Sequence, residues 1–174
     1  MTIEKKRIVI TGGAGFMGST LAGRLTDQNE IVLFDNLARN TLQHTNLSQH
    51  WNVTLVQVDI LDCEATSRAI EGAHIVVHAA AIAGIDTVIK SPVRTMEVNM
   101  IGTANVLQAA TDVKVQDCAI EFSTSEVFGS MVPPLLDVTE ILKTDALSVL
   151  KLSNEFRIEG RNWAVPNAHT LPGT

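Results

Sequence analysis

The stretch TGGAGFMGS, residues 11–19, decides the fold. It places four glycines within the seven positions 12–18, although glycine costs roughly 0.5–1 kcal/mol relative to alanine inside regular structure. Such a run indicates a backbone that bends sharply or that a ligand approaches closely, and a phosphate is the usual ligand. The apolar run before it, residues 7–10, is typical of a buried strand, and the apolar residues after it recur at helical spacing. The pattern predicts a strand, a glycine loop and a helix.

Within this stretch, residues 13–18 match G-x-G-x-x-G, which places the pyrophosphate of a dinucleotide at a helix N-terminus. Residues 30–35 predict a second buried strand, which ends at Asp35, 17 residues after Gly18. A carboxylate there accepts hydrogen bonds from the adenosine ribose, and its charge repels a 2′-phosphate, which favours NAD over NADP. The alternative for Asp35 alone is a solvated aspartate at a turn. Arg39 is the residue after this strand that could instead hold a 2′-phosphate.

Length and composition indicate one domain spanning residues 1–174, with 45% hydrophobic residues to form its core. A net charge of −6 disfavours nucleic acid or an anionic membrane surface as a partner, since the basic residues cluster only at positions 5–7. The longest apolar stretch, residues 75–85, is too short to span a bilayer. The N-terminus lacks the apolar core of a signal peptide, so we expect a cytoplasmic protein.

Neither the cysteines nor the histidines are spaced as metal ligands. Cys63 and Cys118 stand alone without a C-x-x-C pattern, which is typical of a reduced, cytoplasmic protein. The five histidines are scattered, and we interpret each of them as structural or exposed: His44, His50, His74, His78 and His169. The sequence therefore predicts no metal site.

Strand and helix patterns alternate along the rest of the chain. Three further apolar runs predict strands: residues 53–58, 75–78 and 119–122. A short helix is predicted over residues 64–71, and Pro92 opens a long helix that continues to about residue 111. The alternation predicts a doubly wound parallel sheet, a Rossmann fold of about six strands, with its ligand beyond the carboxyl ends of the strands.

The last of these predicted strands, residues 119–122, is followed directly by STSEVFG, residues 123–129. Two hydroxyls and a carboxylate at a strand end are what a proton relay beside a nicotinamide needs. A Ser/Thr-rich turn that caps the following segment accounts for the same residues. Both interpretations stay open on this stretch alone.

Six ordered motifs within residues 7–130 resemble the NAD-dependent epimerase/dehydratase family, the extended short-chain dehydrogenases/reductases that act on nucleotide sugars. The motifs are TGGAGFMGS, FDN, VDI, HAAA, VNMIGTANVLQAA and STSEVFG. The chain is most similar to UDP-glucuronate decarboxylases and sugar-nucleotide dehydratases, which carry Thr or Ser followed by an acid where this chain has residues 124–126. Residues 131–174 diverge from the family pattern.

The resemblance implies an NAD site and a nucleotide-sugar substrate, a UDP-sugar first of all. It implies these cofactor-binding residues: Gly12, Gly13, Gly15, Phe16, Met17, Gly18, Asp35, Asn36, Asp59, Ile60, Ala79, Ala80, Ala81, Asn99, Ser123 and Lys151. Among them the glycines line the pyrophosphate, Asp35 holds the adenosine ribose, residues 59–60 hold the adenine, and residues 79–81 lie on the nicotinamide side. For Asn99 the alternative is a helix-face amide that satisfies a neighbouring backbone group.

For catalysis, the resemblance implies that Thr124 hydrogen-bonds the reacting sugar hydroxyl and that Glu126 acts as an acid or base. Lys151 corresponds to the lysine of the family's Y-x-x-x-K motif, which lowers the pKa of the tyrosine that takes the substrate proton. This chain has no tyrosine, and Leu147 stands at that position. Two functions therefore stay open: an NAD-dependent nucleotide-sugar epimerase, dehydratase or decarboxylase, and an NAD-binding module without chemistry.

The resemblance has two further implications. Family members continue into a second domain that closes over the sugar nucleotide, so we expect a chain truncated after its N-terminal Rossmann part, without the C-terminal substrate domain. The resemblance also implies a homodimer that packs the helix after Pro92 against the helix with the lysine. In this chain the apolar residues that could form that face are Val98, Ile101 and Leu150. Core packing within one chain is the alternative role for these residues.

Overall fold

A computed structural model of the protein describes residues 3–123. Its strands are β1 (Arg7–Thr11), β2 (Glu30–Asp35), β3 (Val53–Gln57), β4 (Ile75–His78) and β5 (Cys118–Glu121). Its helices are α1 (Phe16–Leu25), α2 (Cys63–Ile70), α3 (Ile85–Lys90), α4 (Pro92–Met96) and α5 (Thr103–Asp112). A π-helical segment, Glu97–Gly102, joins α4 to α5, and short 3-10 turns lie at Leu42–His44 and Leu47–Gln49.

The five strands form one sheet in the order β3-β2-β1-β4-β5. The central strand β1 pairs in parallel with both β2 and β4, so that Val9 lies opposite Val32 and Val76. Strand β2 pairs in parallel with β3 on its other side. This order confirms the predicted Rossmann topology, with five of the predicted strands among the described residues. Because these strands run in one direction, the loops after β1, β2, β3 and β4 meet at the same edge of the sheet.

Helices cover both faces of the sheet. Val9, Val32 and Phe34 lie in one core cluster with residues of α2 and α5. Their neighbours along the strands, such as Ile10 and Leu33, point to the opposite face and are also fully buried. Helix α1 packs against β1 and β2. Burial on both faces is why these strands are continuous apolar runs rather than alternating ones.

The long helix that the sequence predicts from Pro92 is not regular. The wider turn of the π-helical segment shifts the faces of the helix by part of a turn. As a result Val98 is buried in the core, whereas Ile101 is 54% exposed. The proposal of Val98 for a dimer face is therefore wrong, and its alternative role in core packing is the observed one. Helix α3 is an element that the sequence pattern does not predict.

The described residues up to Ala119 form one compact unit. The assignment of residues 1–174 to a single domain stays a prediction. Within the described part of the chain, no helix is both long enough and apolar enough to cross a bilayer.

Candidate functional site

The loop after β1 has glycines where a side chain has no room. Gly12 adopts a φ of 67°, and a Cβ atom there would lie 2.8 Å from backbone atoms of Ala79 and Ala80. A Cβ atom on Gly18 would lie 2.4 Å from the carbonyl oxygen of Gly12. The loop can therefore close on itself and approach the chain after β4 only because these residues are glycines.

Helix α1 begins at this loop without a capping side chain. Its N-cap is Gly15, whose N–H donates to the carbonyl oxygen of Gly12 at 3.0 Å. The first N–H groups of a helix have no acceptor within the helix, and the helix dipole adds positive potential there. Phe16 is 77% and Met17 54% exposed, so this end of α1 is open to solvent. The arrangement is suited to an anion such as a pyrophosphate.

Asp35, at the end of β2, connects to the same loop. Its Oδ2 accepts the N–H of Ala14 at 2.9 Å, and its Oδ1 accepts the N–H of Leu37 at 2.7 Å. The side chain is only 8% exposed, so a solvated turn aspartate, the alternative interpretation, is wrong. Each carboxylate oxygen can accept more than one hydrogen bond, which leaves acceptor capacity for ribose hydroxyls. Asn36 beside it is exposed, and its Oδ1 accepts the N–H of Ala38 at 3.0 Å.

A buried chain of hydrogen bonds joins β1 to β4 and α5. The hydroxyl oxygen of Thr11 accepts the N–H groups of Ala79 and Ala80, each at 3.2 Å. Its proton is then free to reach Nδ1 of His78 at 2.6 Å. This assigns the proton of the imidazole to Nε2, which donates to Oγ1 of Thr103 at 2.9 Å.

Burial lowers the pKa of His78 from 6.5 to about 4. The imidazole is therefore neutral at physiological pH, as the hydrogen-bond chain requires. A proton on Nδ1 would place two donors, the imidazole N–H and the Thr11 hydroxyl, against each other. His78 is a structural histidine, as the sequence suggested for it.

Asn99 lies in the π-helical segment and holds the chain that follows β4. Its Oδ1 accepts the N–H of Ile82 at 2.8 Å, and its Nδ2 donates to the carbonyl oxygen of Ile82 at 2.9 Å. The structure thus shows the alternative role of Asn99, an amide that satisfies a neighbouring backbone. It fixes residues 79–82 next to the glycine loop, while a direct contact with a cofactor stays a prediction.

The two residues predicted to hold the adenine differ in exposure. Asp59 is half-buried, and its Oδ1 accepts the N–H of Leu61 at 3.0 Å while its Oδ2 pairs with Arg94 at 2.9 Å. Ile60 is 5% exposed, and its carbonyl oxygen accepts a hydrogen bond from Nδ2 of Asn105 at 3.0 Å. The side chain of Ile60 therefore belongs to the core, whereas the carboxylate of Asp59 is half-exposed and polar.

The structure brings most of the predicted cofactor-binding residues to one edge of the sheet. The loops after β1, β2 and β4 lie in contact there through Gly12, Ala14, Asp35 and Ala79. Ser123 follows β5 and is exposed. The predicted catalytic residues lie outside the described residues: Thr124, Glu126 and Lys151. Leu147, at the tyrosine position, and Leu150, predicted for the dimer face, also lie outside them.

Sequence reasoning missed two threonines that hold the site together. Thr11 connects β1 to the chain after β4, and Thr41 donates both its N–H and its hydroxyl to the carbonyl oxygen of Ala14 at 2.8 Å. The position of Thr11 directly before the glycines was the only signal for its role. Nothing in the pattern around Thr41 indicated a contact 27 residues away.

The model of the NAD dependent epimerase/dehydratase family matches residues 8–150. The chain belongs to this family. The matched range includes the glycine loop, Asp35, the stretch after β5 and Leu147. It therefore covers all six motifs on which the resemblance was based.

Individual members of the family are similar in sequence and in fold. The chain is 37% identical over 132 residues to a UDP-N-acetyl-alpha-D-glucosaminuronate decarboxylase of Bacillus cytotoxicus, covering 75% of this chain and 40% of that protein. The UDP-N-acetylglucosamine 4-epimerase of Methanobrevibacter ruminantium, solved with UDP-N-acetylmuramic acid, is 27% identical with a TM-score of 0.69, over 78% of this chain and 42% of the other. The Bordetella bronchiseptica enzyme WbmH, solved with NAD+, is 30% identical with a TM-score of 0.63, over 72% and 41%. The chain thus spans less than half the length of each relative.

Proposed function

We propose that this chain binds NAD at the edge of the sheet where the loops after β1, β2 and β4 meet. The observation that carries the proposal is the uncapped N-terminus of α1, preceded by a loop in which Gly12 and Gly18 leave no room for side chains. The pyrophosphate would lie on the first N–H groups of α1. Asp35 would accept the adenosine ribose hydroxyls, Asp59 would face the adenine, and residues 79–81 would lie on the nicotinamide side.

We further propose that the protein modifies the sugar of a nucleotide sugar, as an epimerase, dehydratase or decarboxylase. The names of two relatives support this, since one is a UDP-sugar decarboxylase and the other a UDP-sugar epimerase. NAD, when bound, supplies a hydride acceptor that returns the hydride later in the same turnover, because these reactions are redox-neutral overall. Thr124 would hydrogen-bond the sugar hydroxyl that loses its proton, and Glu126 would act as acid or base. Lys151 would lie beside both the cofactor and the reacting hydroxyl.

An NAD-binding module without hydride transfer is the second candidate. It is favoured by the absence of tyrosine from the 174 residues and by Leu147, which stands four residues before Lys151 where the family has its general base. A leucine side chain cannot accept a proton. Loss of a positioned general base commonly lowers a rate by about 10²–10⁴.

Two measurements separate these candidates. Titration calorimetry with NAD tests the cofactor site, and a chain that binds no NAD contradicts both candidates. Absorbance of the NADH band, after UDP-glucose or UDP-glucuronate is added, tests hydride transfer. Reduction of NAD at ordinary enzyme rates, or conversion of the sugar nucleotide followed by chromatography, supports the enzyme, whereas NAD binding with neither signal supports the module. In the latter case Leu147→Tyr, which restores a phenol near Lys151, should recover a trace of single-turnover reduction.

We also propose a homodimer through the helices around the π-helical segment. The apolar side chains exposed there are Ile89, Val93, Met96, Met100 and Ile101. Their burial in a second copy would remove apolar surface from water. Light scattering at tens of micromolar tests the proposal, and a monomer under those conditions contradicts it.

A further inference from the structure

Arg39 bridges two loops that flank the glycine loop. Its Nη2 donates to the carbonyl oxygen of Ala83 at 3.2 Å and to Oγ1 of Thr87 at 3.4 Å. Arg39 follows β2, whereas Ala83 and Thr87 follow β4, and β1 lies between those two strands in the sheet. The arginine side chain therefore crosses the crevice beyond the carboxyl end of β1, where the glycine loop begins.

The backbone next to Arg39 is fixed to the start of α1. Thr41 donates to the carbonyl oxygen of Ala14, and its Oγ1 lies 3.1 Å from Oγ of Ser19, in the first turn of the helix. Two residues of extended chain span at most about 7 Å. The Cα atom of Arg39 therefore lies close enough to the N-terminus of α1, the proposed phosphate site, for the side chain to reach it.

The charge of Arg39 has no anionic partner among residues 3–123. The ion pairs that the structure describes involve other residues, and both acceptors of Arg39 are neutral. These contacts use one nitrogen of the guanidinium, and at 3.4 Å the one to Thr87 is longer than a usual hydrogen bond. Among residues 3–123, the N–H groups on Nη1 and Nε have no hydrogen-bond partner.

The helix N-terminus lacks a cation of its own. Residues 12–19 contain no lysine or arginine. A pyrophosphate carries two negative charges, while a helix dipole is equivalent to roughly half an elementary charge. A guanidinium at this place would add a full charge with the planar donor geometry that phosphate oxygens match.

We infer that Arg39 binds the pyrophosphate of the dinucleotide and closes the crevice over it, with one nitrogen on the Ala83 segment and the others on phosphate oxygens. The inference rests on the proposed NAD site. It assigns Arg39 to the pyrophosphate rather than to the 2′-phosphate of NADP. A 2′-phosphate would lie at the ribose beside Asp35, on the β2 side, whereas the guanidinium reaches across to the β4 side.

The test is calorimetry on the full chain with four ligands: NAD, NADP, ADP and adenosine. Arg39→Ala should weaken the binding of NAD and ADP by about tenfold to hundredfold, because a charge-assisted hydrogen bond is lost. The affinity for adenosine, which has no phosphate, should stay within about twofold of the wild type. Arg39→Lys keeps the charge and should recover part of the affinity. Arg24→Ala is the matched control, an exposed arginine in the last turn of α1, and should change nothing. The affinity of the wild type should also fall more steeply with salt than that of Arg39→Ala.

Three outcomes would overturn the inference while NAD still binds to the wild type. In the first, Arg39→Ala binds NAD with unchanged affinity. In the second, the variant loses affinity for NADP alone. In the third, it loses as much affinity for adenosine as for NAD. The second would make Arg39 a 2′-phosphate ligand, and the third would make it a support of the loop alone. A wild type that binds no NAD would contradict the proposed function itself and the inference with it, and this result appears without any variant.

Discussion

The carboxylate of Asp35 accepts the backbone N–H of Ala14 at 2.9 Å. The acid that ends β2 is thus bonded to the glycine loop that follows β1, and the same side chain also holds its own turn through Leu37. Because the carboxylate is nearly buried and negatively charged, it has two consequences at once. It fixes the glycine loop, and in the proposed NAD site it would disfavour a further anion, such as a 2′-phosphate, next to the ribose.

The first prediction concerns cofactor choice. The chain should bind NAD more tightly than NADP, and Asp35→Ala should narrow the difference because it removes the charge that repels a 2′-phosphate. The variant should also lose about 1–3 kcal/mol of stability, since two backbone N–H groups lose their acceptor. Calorimetry with both cofactors and urea unfolding measure the two effects.

Asp62→Ala is the control for this prediction. Asp62 caps α2 by accepting the N–H of Ala65 at 2.9 Å, so its loss should cost about 1 kcal/mol of stability. The ratio of NAD to NADP affinity should stay as in the wild type. Equal affinities of the unmodified chain for the two cofactors would contradict the role of Asp35.

The second prediction compares two glycines of the same helix. Gly18→Ala should abolish NAD binding and destabilise the fold, because its Cβ would lie 2.4 Å from the carbonyl oxygen of Gly12. Gly23→Ala, five residues on, meets only Leu47 Cδ2 at 4.0 Å. It should leave NAD binding intact and stabilise the protein by roughly 0.5–1 kcal/mol. Calorimetry and urea unfolding of both variants test this, and normal NAD binding by Gly18→Ala would show that the loop is not the phosphate site.

The third prediction concerns pH and follows from His78. Its folded-state pKa of about 4 lies below its ordinary value of 6.5, so the unfolded chain takes up the proton first. The stability that the neutral imidazole contributes is fully present above pH 6.5 and is lost as the pH falls towards 4. The slope should approach about 1.4 kcal/mol per pH unit in that window.

Urea unfolding of the wild type and of His78→Asn at several pH values isolates this effect. Burial raises the pKa of Glu121 to about 7, so Glu121 acts in the opposite direction: its contribution is present below its ordinary value of 4.5 and is lost as the pH rises through 7. Both proteins share that term, and the difference between their curves cancels it. A difference that does not change with pH would rule out the neutral, buried state of His78.

The fourth prediction concerns the amide of Asn99. Asn99→Ala should destabilise the protein by about 1–3 kcal/mol, because the N–H and carbonyl groups of Ile82 lose their partners together. NAD affinity should fall as well, since residues 79–82 are then released from the edge of the sheet. Gln108→Ala, which removes an exposed contact to Asp112, is the control and should stay within about 0.5 kcal/mol of the wild type. An Asn99→Ala protein with unchanged NAD affinity would separate this segment from cofactor binding.

The sheet could be predicted from sequence because each strand is a local signal. Strand β2 was predicted with the observed bounds, Glu30–Asp35, since a strand buried on both faces is an uninterrupted apolar run. The position of the helix after Pro92 was predicted correctly, but which of its residues face the core was not. A single helical period cannot reveal the π-helical turn that buries Val98 and exposes Ile101.

The sequence by itself determined the family, the Rossmann fold and the glycine loop, because the residues that define them are neighbours in the chain. Only the tertiary structure decided which groups hold that loop: Thr11 with His78, Asp35 with Ala14, Asn99 with Ile82, and Arg39 with Ala83. These pairs are separated by between 17 and 67 residues. They meet because parallel pairing in the order β3-β2-β1-β4-β5 brings the carboxyl ends of distant strands to one edge. No local pattern of apolar and polar residues records such a meeting, since hydrogen bonds between side chain and backbone depend on the packed positions of both partners.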